Sequence, residues 1–275
     1  MKNILFDRSV LLVIGAVLAV CFAGCTSTPS RDDTAEKSPG EMGNVPLSAT
    51  TEVSEPGPIH EAELGLSVQH RLIKATVFPG PKDSRCVLIL GGIHGSEPSS
   101  TQLVDRLCEH LKEHREDCAG KTVVLIPRAN PDGLAAGTRH NARGIDLNRN
   151  FLTPNFKASR RHGKEPLSEP ETLALVGVIG QYGPSTVVSV HAPLNCIDPD
   201  GGEASTLLAH EMVAVSPLPF KDLPAHPGSM GSYVGPKLGL KMITYELDKK
   251  KAPASNPNEY LDKHLPALLL AIKKR

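Results

Sequence analysis

The residues best suited to chemistry follow two apolar runs, Cys86–Leu90 and Thr186–Val190, that have the composition of buried strands. His94 and Glu97 come shortly after the first run, and His191 comes directly after the second. Because open α/β sheets bind ligands at the carboxyl ends of their strands, these three side chains are expected to meet. An isolated His-x-x-Glu more often caps a helix or occupies a polar turn. Two histidines and a glutamate leave a fourth zinc position to water, so together they predict a catalytic zinc site.

Six short motifs occur in order along the chain. They are Gly92-Ile93-His94-Gly95-Ser96-Glu97, Asn130-Pro131-Asp132-Gly133, Gly144-Ile145-Asp146-Leu147-Asn148-Arg149-Asn150-Phe151, Ser168-Glu169-Pro170-Glu171, Ser189-Val190-His191-Ala192-Pro193 and Thr244-Tyr245-Glu246-Leu247. Through these motifs the sequence resembles the zinc metallocarboxypeptidase family, particularly its murein peptide amidase branch, over about residues 65–250. The resemblance implies an α/β fold in which one domain contains a mixed β-sheet flanked by helices on both faces, an α/β/α sandwich.

The resemblance also implies a role for each matching residue. His94, Glu97 and His191 would bind one Zn²⁺, Asn148 and Arg149 would hold the substrate's terminal carboxylate, Arg139 would face the carbonyl oxygen that becomes negative, and Glu246 would be the general base. The implied reaction is hydrolysis of an amide bond with zinc-bound water as the nucleophile. A planar guanidinium suits a carboxylate, although without the motif a surface ion pair would be the simpler interpretation of Arg149. Glu246 ends an apolar run, where a solvated charge is less expected.

The murein peptide amidase branch cleaves the bond between γ-D-glutamate and meso-diaminopimelate. Diaminopimelate carries a second ammonium and a second carboxylate, so Asp198, Asp200 and Glu203 are candidate substrate contacts. The tyrosine that digestive carboxypeptidases place over the substrate has no clear equivalent, because the nearby Tyr233 is predicted to be helical. Two alternatives stay open: a zinc deacylase of N-acyl amino acids, as in aspartoacylase-like proteins, and a non-catalytic lipoprotein that binds murein peptides.

The first 25 residues have the pattern of a secretory leader. Lys2 and Arg8 precede the apolar run Val10–Ala23, which is shorter than the roughly 20 residues needed to span a membrane. The stretch 22–25 resembles a bacterial lipobox, so residues 1–24 are predicted to be a signal peptide and Cys25 a lipidated N-terminus. Thr26, rather than Asp, follows the cysteine, which favours the outer membrane over the inner one. Cleavage and release as a soluble protein is the alternative.

The rest of the chain divides into a polar segment and a catalytic domain. Residues 25–58 are rich in Ser, Thr, Pro, Gly and Glu and predict a flexible tether, whereas residues 59–275 predict the zinc carboxypeptidase-like domain. The chain contains 30 basic and 30 acidic residues, so no general electrostatic field favours nucleic acid. The expected partners are a murein peptide and the membrane on the periplasmic side of the envelope, and no protein partner is indicated.

Residue periodicity predicts alternating strands and helices. The expected strands are 71–78, 86–90, 123–126, 186–190 and 241–247, and the expected helices are 98–115, 205–215, 259–273 and one that starts at Ser168 with a capping-box spacing. Cys108 and Cys118 are candidates for a disulfide, although their separation does not establish the geometry. Cys196 is interpreted as a packed thiol, and Lys249–Lys251 as a solvated segment.

Overall fold

The centre of the fold is a seven-stranded sheet whose middle strands are parallel. The computed structural model describes residues 55–274, so the predicted leader, Cys25 and nearly all of the predicted tether lie outside the described residues. The strands are β1 (His60–Leu66), β2 (Leu72–Phe78), β3 (Cys86–Leu90), β4 (Thr122–Ile126), β5 (Thr186–His191), β6 (Cys196–Pro199) and β7 (Lys241–Glu246). They are arranged in the order β1-β2-β4-β3-β5-β7-β6. β4, β3, β5 and β7 pair in parallel, whereas β1, β2 and β6 pair with their neighbours in antiparallel fashion.

The helices connect these strands and cover the sheet. They are α1 (Pro98–Glu113), α2 (Pro131–Ala136), α3 (Pro170–Tyr182), α4 (Glu203–Val213), α5 (Met230–Ser232), α6 (Pro257–Asp262) and α7 (Leu265–Lys273). α5 continues into a π-helical turn, Tyr233–Lys237, and a short 3₁₀ turn, Leu147–Arg149, precedes α3. Within residues 55–274, no helix is long and apolar enough to cross a membrane.

Alternating side chains of the central strands build two separate cores. Ile89 and Val188 point to one face, where they join Leu103 of α1, while Leu88 points to the other face and packs in a cluster with Leu175 of α3. Successive strand residues point to opposite faces, so strands buried on both sides must be apolar throughout. Helices therefore cover both faces of a mixed sheet, and the predicted fold class is confirmed.

Prolines explain two differences from the predicted helices. The helix expected from Ser168 begins at Pro170, and no side chain caps it. Ser168 Oγ instead accepts a hydrogen bond from Asn150 Nδ2 at 2.9 Å and donates one to Glu169. The expected closing helix 259–273 is two helices, α6 and α7, separated before Pro266. Proline lacks an N–H and its ring clashes with the carbonyl four residues earlier, so it ends the first helix and starts the second.

The cysteines of the described residues are free thiols. Cys108 and Cys118 are both buried in the α1 face of the core and do not form the disulfide that the sequence left open. Cys196 is fully buried, and burial raises the pKa of its thiol to about 11, so it is a packed thiol as expected and not a nucleophile. Burial likewise raises the pKa of Cys86, to about 12.

Candidate active site

Three adjacent parallel strands supply the polar residues at one edge of the sheet. The chain leaves β3 and reaches His94 and Glu97 before α1 begins, and β5 ends at His191. His191 pairs directly with Glu246, the last residue of the neighbouring strand β7. All four residues are buried, although they lie at strand ends. The parallel arrangement therefore brings together residues that are about 150 positions apart in sequence.

The three predicted metal ligands form one cluster. Their donor atoms all lie within 4.8 Å of one another. Nδ1 of His94 lies 3.0 Å from one Glu97 oxygen, Nδ1 of His191 lies 3.3 Å from the other, and the two Nδ1 atoms are 3.2 Å apart. Two imidazole nitrogens and a carboxylate oxygen facing a common point suit a zinc ion that keeps one position for water. The donor set and its geometry therefore fit zinc.

The cluster lowers the pKa of its carboxylate. Burial raises the pKa of Glu97, but hydrogen bonds and charge interactions with His191 and His94 together outweigh burial and hold that pKa below its usual range. Burial also opposes protonation of His94, whereas Asp146 and Glu97 raise the pKa of His94 above its usual value. Protons and metal consequently compete for the same nitrogen.

Hydrogen bonds behind the ligands orient their rings. The far nitrogen of His94, Nε2, lies 3.1 Å from Oδ1 of Asp146, and Nε2 of His191 lies 3.0 Å from Oγ of Ser189. Such contacts fix a ligand's tautomer and direct its other nitrogen to the metal. The sequence assigns no role to Asp146, although it stands inside the motif that contains Asn148. An acidic residue two positions before a substrate-binding asparagine is a signal too general to identify this contact.

The Asn130–Gly133 motif supports the loop that carries His94. Asn130 donates from its backbone N–H to Gly92 O at 2.9 Å and from Nδ2 to Ile93 O at 3.2 Å. A Cβ on Gly95 would lie 1.8 Å from the carbonyl carbon of Gly133, so only glycine allows the two segments to approach this closely. The motif is therefore part of the scaffold of the metal site.

Arg139 lies beside the ligand cluster. Its Nε is 2.9 Å from Oδ2 of Asp146, and its Nη1 is 3.4 Å from Oε1 of Glu97. Its side chain is 40% exposed, so the guanidinium is also open to the cavity. This position fits the predicted role of facing a carbonyl oxygen at the metal.

Asn148 and Arg149 line the same cavity from the 3₁₀ turn after Asp146. Asn148 Oδ1 accepts a hydrogen bond from Met230 N at 2.8 Å, which ties this turn to the start of α5. Arg149 Nη1 donates to Asn148 O at 2.6 Å. Burial lowers the pKa of Arg149, but a guanidinium remains charged at any physiological pH.

The cavity has a volume of about 250 Å³, and an acidic patch forms one end of it. Asp198 and Asp200 line this end, with Asp198 accepting a hydrogen bond from Leu223 N at 3.0 Å and Asp200 accepting one from Thr244 Oγ1. Burial raises the pKa of Asp198 to about 6 and that of Asp200 to about 7. A Cβ on Gly231 would lie 2.1 Å from Asp200 Oδ1, so this glycine provides space for the carboxylate.

Glu203 is not part of this acidic patch. It is exposed in the first turn of α4 and is not among the residues lining the cavity. The carboxylate is stabilised there by the helix N-terminus rather than directed to a ligand. The position of Glu203 therefore does not support its predicted role as a substrate contact, which stays a prediction.

Glu246 reaches the cavity from the end of β7. Its Oε2 accepts a hydrogen bond from Leu194 N at 3.2 Å, and its other oxygen carries no hydrogen bond among the described residues. Tyr233, by contrast, is helical as expected, and its ring packs 5.6 Å from the ring of Phe151 in the core. It does not line the cavity, so it does not supply the missing tyrosine.

Comparison with known proteins identifies the family of this chain. Residues 49–197 match the profile of the M14 peptidases, described as zinc carboxypeptidases. The chain belongs to this zinc carboxypeptidase family. It is 37% identical to murein peptide amidase A of Escherichia coli K12, with 70% of this chain and 81% of the relative covered. It is 31% identical to the amidase of Vibrio campbellii, with 71% and 81% covered.

Solved structures agree with this assignment. The murein-tripeptide amidase of Escherichia coli O157 superposes with a TM-score of 0.59 at 31% identity, covering 79% of this chain and 93% of that one. Carboxypeptidase A from Helicoverpa armigera shares the fold, with a TM-score of 0.64 at 17% identity over 78% of this chain and 67% of that one. The family resemblance is confirmed, and the protein is a hydrolase that uses one zinc ion. A non-catalytic binding protein is therefore no longer a competing interpretation.

Proposed function

We propose that this protein hydrolyses an amide bond next to a free carboxylate in murein peptides, namely the bond between γ-D-glutamate and meso-diaminopimelate. The observation that carries the proposal is one cavity lined by the metal ligands, Glu246, a guanidinium at Arg149 and the acidic pair Asp198 and Asp200. The relatives named murein peptide amidase A, which align with most of this chain, support the same substrate class.

The leaving side of the substrate, diaminopimelate, has charges that match this cavity. Its carboxylate next to the scissile bond pairs with Arg149, whose planar fork can donate two parallel hydrogen bonds. Its distal amino acid group carries an ammonium, which Asp198 and Asp200 attract at the acidic end. A substrate with both features at once is distinguished from a peptide whose last residue has a neutral or acidic side chain.

Three parts of the site carry out the proposed hydrolysis: the metal ligands, Glu246 and Arg139. His94, Glu97 and His191 would hold the zinc ion, which would supply Lewis acidity and lower the pKa of a water molecule. The Glu246 carboxylate accepts a proton from the attacking water and then delivers it to the leaving amine. The Arg139 guanidinium donates hydrogen bonds to the carbonyl oxygen as negative charge develops there. The hydrogen bond from Leu194 N holds Glu246 in place and leaves its second oxygen for proton transfer.

The proposed location is the periplasmic side of the envelope, with the catalytic domain held to the outer membrane by lipid on Cys25. Several acyl chains anchor a protein firmly, because each buried CH₂ contributes about 0.8 kcal/mol. Labelling cells with a radioactive fatty acid tests this: the wild-type protein should carry label in the outer-membrane fraction, and Cys25→Ser should not. Unlabelled wild-type protein would refute the anchor and leave the proposed reaction intact.

The proposed reaction is tested with the full zinc-loaded protein and two substrates. Incubation with L-Ala-γ-D-Glu-meso-diaminopimelate should release free diaminopimelate, and a chelator should abolish the release. Incubation with an N-acetyl amino acid distinguishes the zinc deacylase alternative. Release of acetate without release of diaminopimelate would replace the proposed function with deacylation.

A further inference from the structure

Lys250 lies at the wall of the catalytic cavity, although the sequence predicts only a solvated segment there. Its carbonyl accepts a hydrogen bond from Ser99 N at 2.9 Å, and the preceding carbonyl of Lys249 accepts one from Ser99 Oγ at 2.6 Å. Ser99 is fully buried and stands two positions after the metal ligand Glu97. The backbone that carries Lys250 is therefore fastened beside the metal site.

The hydrogen bonds with Ser99 place the backbone of Lys250 on the β3 side of the cavity, whereas the acidic patch lies on the β6 side. Glu97 and the start of α1 follow β3, whereas Asp198 and Asp200 belong to β6 and the residue beyond it, and β5 and β7 lie between these strands. The carboxylate-binding turn belongs to the β6 side, because Asn148 bonds to Met230 and the adjacent glycine abuts Asp200. If diaminopimelate occupies the β6 side, the acyl half of the substrate extends toward the β3 side.

The ammonium of Lys250 is available to a ligand. Lys249, its neighbour, forms an ion pair with Asp248 and lies 5.3 Å from the centroid of the Tyr260 ring. Lys250 forms no ion pair with any residue of the described range 55–274. A lysine is a point charge on a flexible stem, so it can follow a carboxylate whose position is not rigidly fixed.

A γ-linked glutamyl residue has an unusual charge on its acyl side. Because the side-chain carboxyl forms the scissile amide, the α-carboxylate remains free, about 5 Å along the carbon chain from the scissile carbonyl carbon. An ordinary α-linked residue has an amide group, not a charge, on that side. A cation at the acyl end of the cavity would therefore discriminate between these two kinds of linkage.

We propose that Lys250 is a specificity-determining residue that binds the free α-carboxylate of a γ-linked acyl-side residue. The inference rests on the proposed amidase function and extends it, since it names the group that recognises the other half of the substrate. Arg149 binds the carboxylate of the leaving residue, and Lys250 binds that of the acyl residue. The cavity therefore selects a substrate with one carboxylate on each side of the scissile bond.

The test compares two substrates that differ in one group. They are L-Ala-γ-D-Glu-meso-diaminopimelate and the same peptide with the α-carboxylate converted to an amide, D-isoglutamine. The full zinc-loaded wild-type protein should favour the acid by about 5- to 10-fold in kcat/KM, the size expected of a partly screened charge pair. The preference should reside mainly in KM and should shrink in about 1 M salt, where screening is strong.

Variants of Lys250 separate a charge effect from a structural one. Lys250→Met should bring the acid-to-amide ratio in kcat/KM close to 1. Lys250→Glu should reverse the preference, and Lys250→Arg should retain it. Lys251→Met is the matched control, because Lys251 is exposed and does not line the cavity, and it should keep the wild-type ratio.

Two outcomes would overturn the role of Lys250 alone. One is hydrolysis of both peptides by the wild-type protein without preference, and the other is an unchanged preference in Lys250→Met. If the zinc-loaded wild-type protein released diaminopimelate from neither peptide, the proposed amidase function itself would fail and the role of Lys250 with it. The three results are distinguishable in one set of rate measurements.

Discussion

The Asp146 carboxylate joins His94, a candidate metal ligand, to Arg139, which is proposed to face the reacting carbonyl. Its Oδ1 lies 3.1 Å from Nε2 of His94, and its Oδ2 lies 2.9 Å from Nε of Arg139. Burial raises the pKa of Asp146, but His94 and Arg139 together hold it well below its usual range, so the group is charged. One buried anion thus fixes the orientation of the ligand ring and of the guanidinium.

Replacing Asp146 with Asn should weaken zinc binding without removing a ligand. The amide keeps an oxygen for one contact, but it loses the negative charge that orients and polarises the His94 ring. Loss of such a contact typically lowers metal affinity by about 10- to 100-fold. Competition with a chromophoric chelator measures the zinc Kd. Glu109→Gln, a change of an exposed surface carboxylate, is the control, and a wild-type Kd in Asp146→Asn would refute the role of this anion.

Replacing Glu246 with Gln should abolish turnover and leave the fold and the zinc content intact. Glutamine preserves the hydrogen bond from Leu194 N but cannot accept a proton, and a general base typically contributes about 10²- to 10⁴-fold. Metal analysis and release of diaminopimelate are measured on the same sample. Glu203→Gln is the matched control, because Glu203 is exposed outside the cavity and its variant should remain active. Wild-type turnover in metal-loaded Glu246→Gln would eliminate Glu246 as the base.

Asp200 should make the folded protein less stable as the pH rises. Burial raises its pKa from 3.8 to about 7, so the folded state binds a proton that the unfolded state has released between these values. Its contribution to the free energy of unfolding is therefore present below pH 4 and is lost as the pH approaches 7. Asp200→Asn removes this dependence.

Urea unfolding of wild type and Asp200→Asn at pH 5 and pH 8 measures the effect. From pH 5 to pH 8, the free energy of unfolding of the variant should rise by about 1–3 kcal/mol relative to that of wild type. Each pKa unit corresponds to about 1.4 kcal/mol. Zinc binding also varies with pH, so the effect is taken from the difference in the free energy of unfolding between the two proteins at each pH. If the difference in unfolding free energy between variant and wild type did not grow with pH, burial would not raise the pKa of Asp200.

Much of the fold was predictable because it depends on local patterns. The strands β3, β4, β5 and β7 are largely apolar, and their observed ends differ from the predicted ones by a residue or less. β1 and β6 were not predicted. β1 is an edge strand with Glu and His in its sequence, and β6 has four residues that contain Asp198 and Pro199. Their pairing depends on tertiary contacts that periodicity does not record.

The sequence predicts a site residue when that residue belongs to a motif. It does not predict a residue whose place at the cavity depends on tertiary contacts. His94, Glu97, His191 and Glu246 stand at strand ends, so the topology brings them together. Lys250 belongs to no motif, and its place at the cavity goes with a backbone hydrogen bond to Ser99, 151 residues earlier in the chain. Glu203 follows His191 along the chain as Lys250 follows Glu246, but a helix start directs Glu203 to solvent.

Two arginines of the cavity should have separable kinetic effects. Arg139 contacts Glu97 and is proposed to face the reacting carbonyl, which would make it act mainly in the transition state. Arg149 is proposed to bind a carboxylate that is present throughout the reaction. Arg139→Ala should therefore lower kcat by about 10²- to 10³-fold with a smaller change in KM. Arg149→Ala should chiefly raise KM, because it removes binding that the ground state and the transition state share.

Steady-state rates of diaminopimelate release give both constants for both variants. Arg128→Ala is the control, because Arg128 is an exposed surface arginine paired with Asp105 outside the cavity, and it should leave kcat and KM unchanged. If Arg139→Ala raised KM alone and Arg149→Ala lowered kcat alone, the two assignments would have to be exchanged. If both variants lowered kcat and left KM unchanged, Arg149 would act in the transition state, and the carboxylate of the leaving residue would require another partner.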